Sequence, residues 1–347
     1  MKTMNEIDTP LLAIDIGRGT QDILVYEPGQ PLENSIKLVL PSPTVVVAEA
    51  IRQARRRGEA VFLEGHLMGG GANVAAVCEH LAAGLAVYAT PEAAATIYDD
   101  PARVRSLGVR IVHSRPSDAV PISLTDYMAE ELRATFGMFA VTYPERLAVA
   151  VQDHGYSPHR SNRLRRFELL RERLDAGGWR LSSLVEETPS PDMTRMAAIR
   201  RQVPGALVTD TGPVALIGAL EDPWVRARAD DEGIILVNVG NGHTLCCTLK
   251  GDEIYGFFEH HTASLDPHKL QHYLWRLANG LLTNEEIFED GGHGAAVREP
   301  LLTDIIAATG PNRQRLLPDA YQAAPYGDMM LTGCFGLLKV WELFRTG

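Results

Sequence analysis

Two short stretches of this chain carry the residue types that hold a phosphate chain. Leu12 to Tyr26 reads as an apolar strand, then Asp15-Ile16-Gly17-Arg18-Gly19-Thr20-Gln21-Asp22, then a second apolar strand. The spacing predicts a β-hairpin whose glycines let backbone N–H groups crowd an anion, with the Thr20 hydroxyl and the Asp15 carboxylate beside it. Glycines also serve ordinary hairpin turns, so this segment by itself leaves both uses open. The same order returns at Ile234 to Leu245, where an apolar strand leads to Gly240, Gly242 and Thr244. A third segment, Met329 to Gly336, runs from an expected apolar strand into Gly333, Cys334 and Gly336, then into a helix-like stretch from Leu337 to Phe344.

Two phosphate-type hairpins and a glycine-bearing strand end resemble the actin, sugar kinase and heat-shock chaperone superfamily of ATP-binding proteins. The resemblance implies a two-lobed α/β fold, actin-like and ribonuclease H-like, with ATP and Mg2+ in a cleft between the lobes. It makes Asp15, Gly17, Gly19 and Thr20 the first phosphate loop, and Gly240, Gly242 and Thr244 the second. Gly333, Cys334 and Gly336 then lie closest to the adenosine. Where many members place a metal-directed aspartate in the second loop, this chain has Asn238. An amide lacks the charge to hold magnesium strongly, so the metal falls mainly to Asp15 and the phosphates.

Between the loops, Ala206 to Ala219 reads as a buried strand ending at Asp210, followed by a helix whose Ala215 and Gly218 permit close packing. By the resemblance, Asp210 is the general base, and the helix crosses to its twin in the other lobe. Asp210 as the cap of that helix is the alternative reading. More narrowly, the chain resembles a bacterial and archaeal family labelled putative pyruvate formate-lyase activating enzyme. Activators of that kind resemble radical enzymes with three closely spaced cysteines on an iron–sulfur cluster. The cysteines here, at 78, 246, 247 and 334, offer no such trio, so the fold is kept and the label set aside.

The elements that must position these residues follow an α/β pattern, with strand-length apolar runs alternating with helix-like stretches. Strands are expected near Val61 to Glu64, Leu85 to Ala89, Val109 to His113, Met138 to Thr142 and Leu147 to Val151. After a proline-rich boundary at 190 to 205 they return at 233 to 239, 243 to 249 and 253 to 258. The lobes are therefore placed at 1–204 and 205–347. Thr90-Pro91-Glu92, Asp266-Pro267 and Thr283 to Glu286 carry helix-start signals. With 347 residues, 45% of them hydrophobic, the chain can bury two sizeable cores.

A formal net charge of −11 argues against a nucleic-acid partner. The basic runs Arg52 to Arg57 and Arg160 to Arg173 read as solvated helix faces. The polar start from Met1 to Pro10, the unpaired cysteine spacing and the lack of a bilayer-length apolar run lead to an expectation of a cytoplasmic protein with no membrane partner.

The candidate substrate side is the polar end of the strand Ala148 to Val151, namely Gln152, Asp153 and His154, because such strand ends face the crevice of an open α/β sheet. Arg163 and Arg166 follow and could meet an anion; polar residues satisfying one another is the alternative. His261 belongs to a second polar cluster, Glu259 to Thr262. His268 and His272 share a helix face, yet no third metal ligand is fixed by spacing. Two function classes result. The first is a kinase transferring phosphoryl from Mg-ATP to an unidentified small molecule, and the second an ATPase acting as conformational activator of a protein partner. A histidine-based metallohydrolase ranks last, since it ignores the paired hairpins.

Overall fold

The protein is described by a computed structural model over residues 7–345, so Met1 to Glu6 of the polar start lie outside the described residues. The first hairpin is β1 (Leu11–Ile16) and β2 (Thr20–Tyr26), extended by β3 (Ile36–Pro41). The chain then leaves to build a second, all-parallel sheet from β4 (Ala60–Gly65), β5 (Val87–Ala89), β6 (Arg110–Ile111) and β7 (Ala119–Leu124). It returns as β8 (Arg146–Val151) and β9 (Leu207–Asp210), each parallel to its neighbour in the first sheet. The remaining strands form a third sheet: β10 (Ile234–Val239), β11 (His243–Lys250), β12 (Glu253–His261), β13 (Gly294–Val297), β14 (Ile306–Thr309) and β15 (Tyr321–Gln322).

The first sheet runs β3-β2-β1-β8-β9, and the third runs β13-β12-β11-β10-β14-β15. Apart from the edge strand β13, both read third, second, first, fourth, fifth, with the first three antiparallel and the rest parallel. This is the actin-like, ribonuclease H-like fold, present twice. Alternation explains why both faces of each sheet are dry. Leu11 and Ala13 enter one core while Leu12 and Ile14 enter another, and Ile234 and Leu236 are likewise divided from Ile235 and Val237.

Helices tie the two halves together. Thr211–Ala219 follows β9 and packs against Thr332–Arg345 so closely that a side chain on Gly218 would meet the Thr332 carbonyl, and one on Gly336 the Val214 carbonyl. The helix Asn162–Ala176 leaves the first sheet's chain segment yet packs on the third sheet, with Phe167 stacked on Phe257 at 4.8 Å between ring centroids.

Several expectations are corrected. β9 belongs to the first sheet, so the chain passes between halves after Asp210 rather than at 204. The parallel sheet β4 to β7 is a separate layer inside the first lobe, with its own core around Ile51, Leu63 and Val77. Met138 to Thr142 is not a strand, because the helix Ala129–Met138 ends there. Met329 to Leu331 is no strand either, and Gly333, Cys334 and Gly336 lie inside a helix rather than in an adenosine-facing turn. No helix of the described residues is long and apolar enough to cross a membrane.

Candidate functional site

The two hairpin turns have the same geometry. Gly17 N–H donates to the Thr20 carbonyl at 2.9 Å, and Gly240 N–H to the His243 carbonyl at 3.0 Å. That leaves the N–H groups of Arg18, Gly19, Asn241 and Gly242 without a partner among the described residues. The turns also face each other. A side chain on Gly19 would approach Asn241 Nδ2 at 3.1 Å, and one on Gly242 would approach Arg18 Cδ at 3.3 Å. Beneath them lies a cavity of about 80 Å³ whose lining includes Asp15, Thr20, Asp22, Thr211, Asn238 and Gly310.

Asp15 and Asp22 are direct partners across β1 and β2. Thr211 Oγ1 donates to Asp15 at 2.5 Å. Burial pushes the Asp15 carboxyl up to about 7, Thr211 opposing the rise and the charge of Asp210 adding to it. Burial also pushes Asp22 up to about 8, with the neighbouring Asp15 adding to it. Asp22 Oδ1 is buried without a hydrogen-bond partner. Two acids share a cavity, and no basic side chain among the described residues pairs with either. A carboxylate pair of this kind suits a hard divalent cation, which would relieve both burial and mutual repulsion. Magnesium therefore fits the residues present.

The turn register corrects one phosphate-loop residue. Thr20 corresponds to His243, not to Thr244, because Ile16 pairs with Gln21 and Val239 with Thr244. A one-residue offset in a strand reverses the face. Thr244 is accordingly buried and hydrogen-bonded to Thr262 at 3.1 Å, away from the turn. Gly333 does line the cavity, where any side chain would run into Asp15. Cys334 and Gly336 do not line it. The Cys334 thiol donates to the Asp22 carbonyl at 3.0 Å inside the core, and Gly336 is consumed by the helix crossing.

Asp210 stands at the end of β9 as expected, fully buried. Its Oδ1 accepts the Gly212 N–H at 3.1 Å, which caps the following helix. Both oxygens also accept from Arg166, at 2.6 and 3.0 Å. Its carboxylate is bound on both oxygens and lines neither of the cavities that could hold a substrate, so the general-base expectation is corrected to that of an anchor. Arg166 continues to Glu259 at 2.6 and 2.7 Å, and His293 Nδ1 meets the same carboxylate at 2.5 Å. Burial alone would raise Glu259, but Arg166 and His293 hold it well below the usual carboxylate range. Arg166 thus joins the first sheet, through Asp210, to the third, through Glu259.

Gln152, Asp153, His154 and His261 come together on a larger cavity of about 370 Å³ that adjoins the turns at Gly17 and Arg18. Its other walls include Met68 to Gly71 from the parallel-sheet layer and Arg195. Asp153 is partly spent on structure, since its Oδ2 accepts from the N–H groups of Arg195 and Met196 at 2.9 and 3.0 Å. Arg195 in turn pairs with Asp126 and donates to the Gln152 carbonyl at 2.6 Å. The sequence assigns no role to Arg18, Thr211, Arg195, His243 or His293, and marks Glu259 only as part of the polar cluster Glu259 to Thr262. Arg18 and His243 at least lie within the two hairpins; Thr211, Arg195 and His293 carry no local signal.

Residues 68–315 match the family described as "Putative pyruvate format-lyase activating enzyme (DUF1786)". The chain belongs to that family. The cysteines of this member cannot jointly hold a cluster: Cys78 is exposed, Cys246 and Cys247 enter opposite cores of the third sheet, and Cys334 lies in a core of the first. No curated protein matches the chain. Among solved structures, it is similar to a Bacteroides thetaiotaomicron protein with actin-like ATPase fold and unknown function, at 9% identity over 96% of this chain and 98% of that one, TM-score 0.38. An inorganic polyphosphate/ATP-glucomannokinase from Arthrobacter sp. matches at 11% identity over 96% and 99%, TM-score 0.34. A ROK family transcriptional regulator, a homolog of the E. coli MLC protein, matches at 8% identity, TM-score 0.28, over 72% of this chain and 39% of its own. The chain spans well under half of that regulator's length. The fold assignment of this family member rests on its repeated strand order.

Proposed function

We propose that this protein binds a magnesium nucleotide between its two hairpin turns and transfers the terminal phosphoryl group to a small molecule held in the adjoining cavity. The observation that carries the reading is the pairing of two opposed turns, each with unpartnered N–H groups, above the carboxylates of Asp15 and Asp22. When bound, the metal would neutralise charge on the transferring group. Transfer of this kind asks the protein mainly for positioning and electrostatic stabilisation rather than covalent chemistry.

The chain's own residues divide that work. The N–H groups of Arg18, Gly19, Asn241 and Gly242 face an anion from both sides, in the manner of backbone nests. Asp15, oriented by Thr211, and Asp22 hold the cation; Asn238 supplies a neutral oxygen from the other lobe. The Arg18 guanidinium has no partner among the described residues and lines both cavities, so it is placed to follow charge from one to the other. Asp210 fixes Arg166 and the start of the helix at Thr211, which sets where the Thr211 hydroxyl meets Asp15. A volume of about 370 Å³ suits a small polar substrate.

A panel of hydroxyl compounds tested for stimulated ADP release from Mg-ATP checks the proposal. One compound giving strong stimulation and a phosphorylated product is the expected result. Slow hydrolysis that answers only to an added protein would replace transfer to a small molecule with the activator reading.

A further inference from the structure

Four histidines that are scattered in the chain meet at the mouth between the lobes. His154 follows β8, His243 opens β11, His261 ends β12 and His293 precedes β13. Ring centroids of His293 lie 5.4 Å from His154, 4.8 Å from His243 and 4.9 Å from His261. Ligand atoms of His154, His243 and His293 all fall within 4.8 Å of one another.

The hydrogen bonds fix which nitrogens are free. His293 Nδ1 faces the Glu259 carboxylate, which can only accept, so that nitrogen carries the hydrogen. His261 Nδ1 faces the Gly291 carbonyl at 2.8 Å and carries one for the same reason. The two Nε2 atoms are then left pointing at each other at 3.3 Å, lone pair to lone pair. His243 Nε2 is a further buried nitrogen with no partner. Such a set is repulsive unless something positive sits among the nitrogens. For a tetrahedral ion with nitrogen ligands at 2.0–2.1 Å, adjacent nitrogens are separated by about 3.3–3.4 Å, which is the separation seen between His261 and His293.

We infer that His243 and His293, with His154 from the opposite lobe and His261 beside His293, form a binding site for a divalent transition metal of the zinc type. The surroundings have the form such sites take. Ligating histidines usually donate their second nitrogen to a carboxylate or carbonyl, which orients the ring. Glu259 does this for His293, with Arg166 holding Glu259 from behind, and the Gly291 carbonyl does it for His261. His154, His243 and His261 line the larger cavity, so the ion is reached from that side. This site is distinct from the carboxylate site of Asp15 and Asp22: its nitrogen donors select softer ions than magnesium. It does not depend on the nucleotide proposal.

Chelator-treated full-length protein titrated with Zn2+ by calorimetry, and with Co2+ by visible absorption, tests the inference. One equivalent of each should bind, cobalt giving the ligand-field bands of a low-coordinate nitrogen site. X-ray absorption on the zinc form should count at least three imidazole ligands at about 2.0–2.1 Å. His243→Ala and His293→Ala should abolish the cobalt bands while circular dichroism stays unchanged, and His268→Ala should leave binding intact. Should either alanine variant fail to fold, the imidazole count on the unmodified protein decides. No stoichiometric uptake, meaning that a shared proton fills the gap, or fewer than three imidazoles around the zinc, would overturn it.

Discussion

The two hairpin turns share a backbone but not a chemistry. Gly17 to Thr20 and Gly240 to His243 close with the same hydrogen bond and sit at the same place in two sheets of the same order. Yet the positions of Asp15, Thr20 and Asp22 in the first are taken by Asn238, His243 and Leu245 in the second. The first turn stands over buried acids that call for a hard cation. The second offers an amide and an imidazole and leans on a histidine cluster instead. A repeated fold therefore fixes where backbone N–H groups point, while the side chains at equivalent positions divide the work between the lobes.

The largest expected effect comes from cutting the link that keeps the two halves in register. Arg166→Ala leaves Asp210 and Glu259 buried without a counter-charge, a loss of about 3–5 kcal/mol; chemical denaturation should show it as a large fall in midpoint. If stability is unchanged, Arg166 does not hold the halves together. Asp210→Asn should also lower stability, since it weakens both that pair and the helix cap.

Next in size is the contrast between the turns themselves. Asp15→Asn should weaken magnesium-dependent nucleotide binding by roughly 100-fold, about 2.8 kcal/mol. Asn238→Asp should keep affinity near or above that of the natural chain. Equal losses in calorimetric titrations of the two variants would show that the cation does not favour the first turn. At the helix crossing shared by both halves, Gly336→Ala forces a methyl group into the Val214 carbonyl. A cost of about 1–3 kcal/mol is expected, read as a lower melting temperature.

A further contrast between the turns is in pH. Asp15 and Asp22 stand at about 7 and 8 in the folded chain, above the ordinary carboxylate range. The folded state thus binds more protons than the unfolded one, and its stability falls as pH rises from about 4 to 8. The second turn, with Asn238 and Leu245 at those positions, contributes no such slope. Denaturation midpoints of the ligand-free protein at pH 5 and pH 8 should differ in that direction. Asp22→Asn should reduce the difference.

Much of this frame was legible in the sequence. β1, β2, β10, β11 and β12 announce themselves through apolar runs broken by spaced glycines, and Thr90, Asp266 and Thr283 all cap helices as their types suggest. A short apolar run looks alike before a helix and inside a sheet, so Met329 to Leu331 reads as a strand although it leads into a helix. Arg166 reads from the sequence as a residue that could meet an anion; that its partners are the protein's own buried carboxylates depends on Asp210 and Glu259, both far away in the chain. The histidine cluster has no sequence signature either, since its members come from four separate segments. The threonine of the second hairpin lies one position beyond the counterpart of Thr20, an offset that only the strand register reveals.

The central claim is that magnesium and nucleotide meet between the two turns, and thermal unfolding tests it most directly. With a non-hydrolysable ATP analogue and magnesium at about 100 times the dissociation constant, the natural chain should gain roughly 2.7 kcal/mol. The gain should vanish without magnesium and in Asp15→Asn. No stabilisation by any purine nucleotide at millimolar concentration, with magnesium present, would contradict the account.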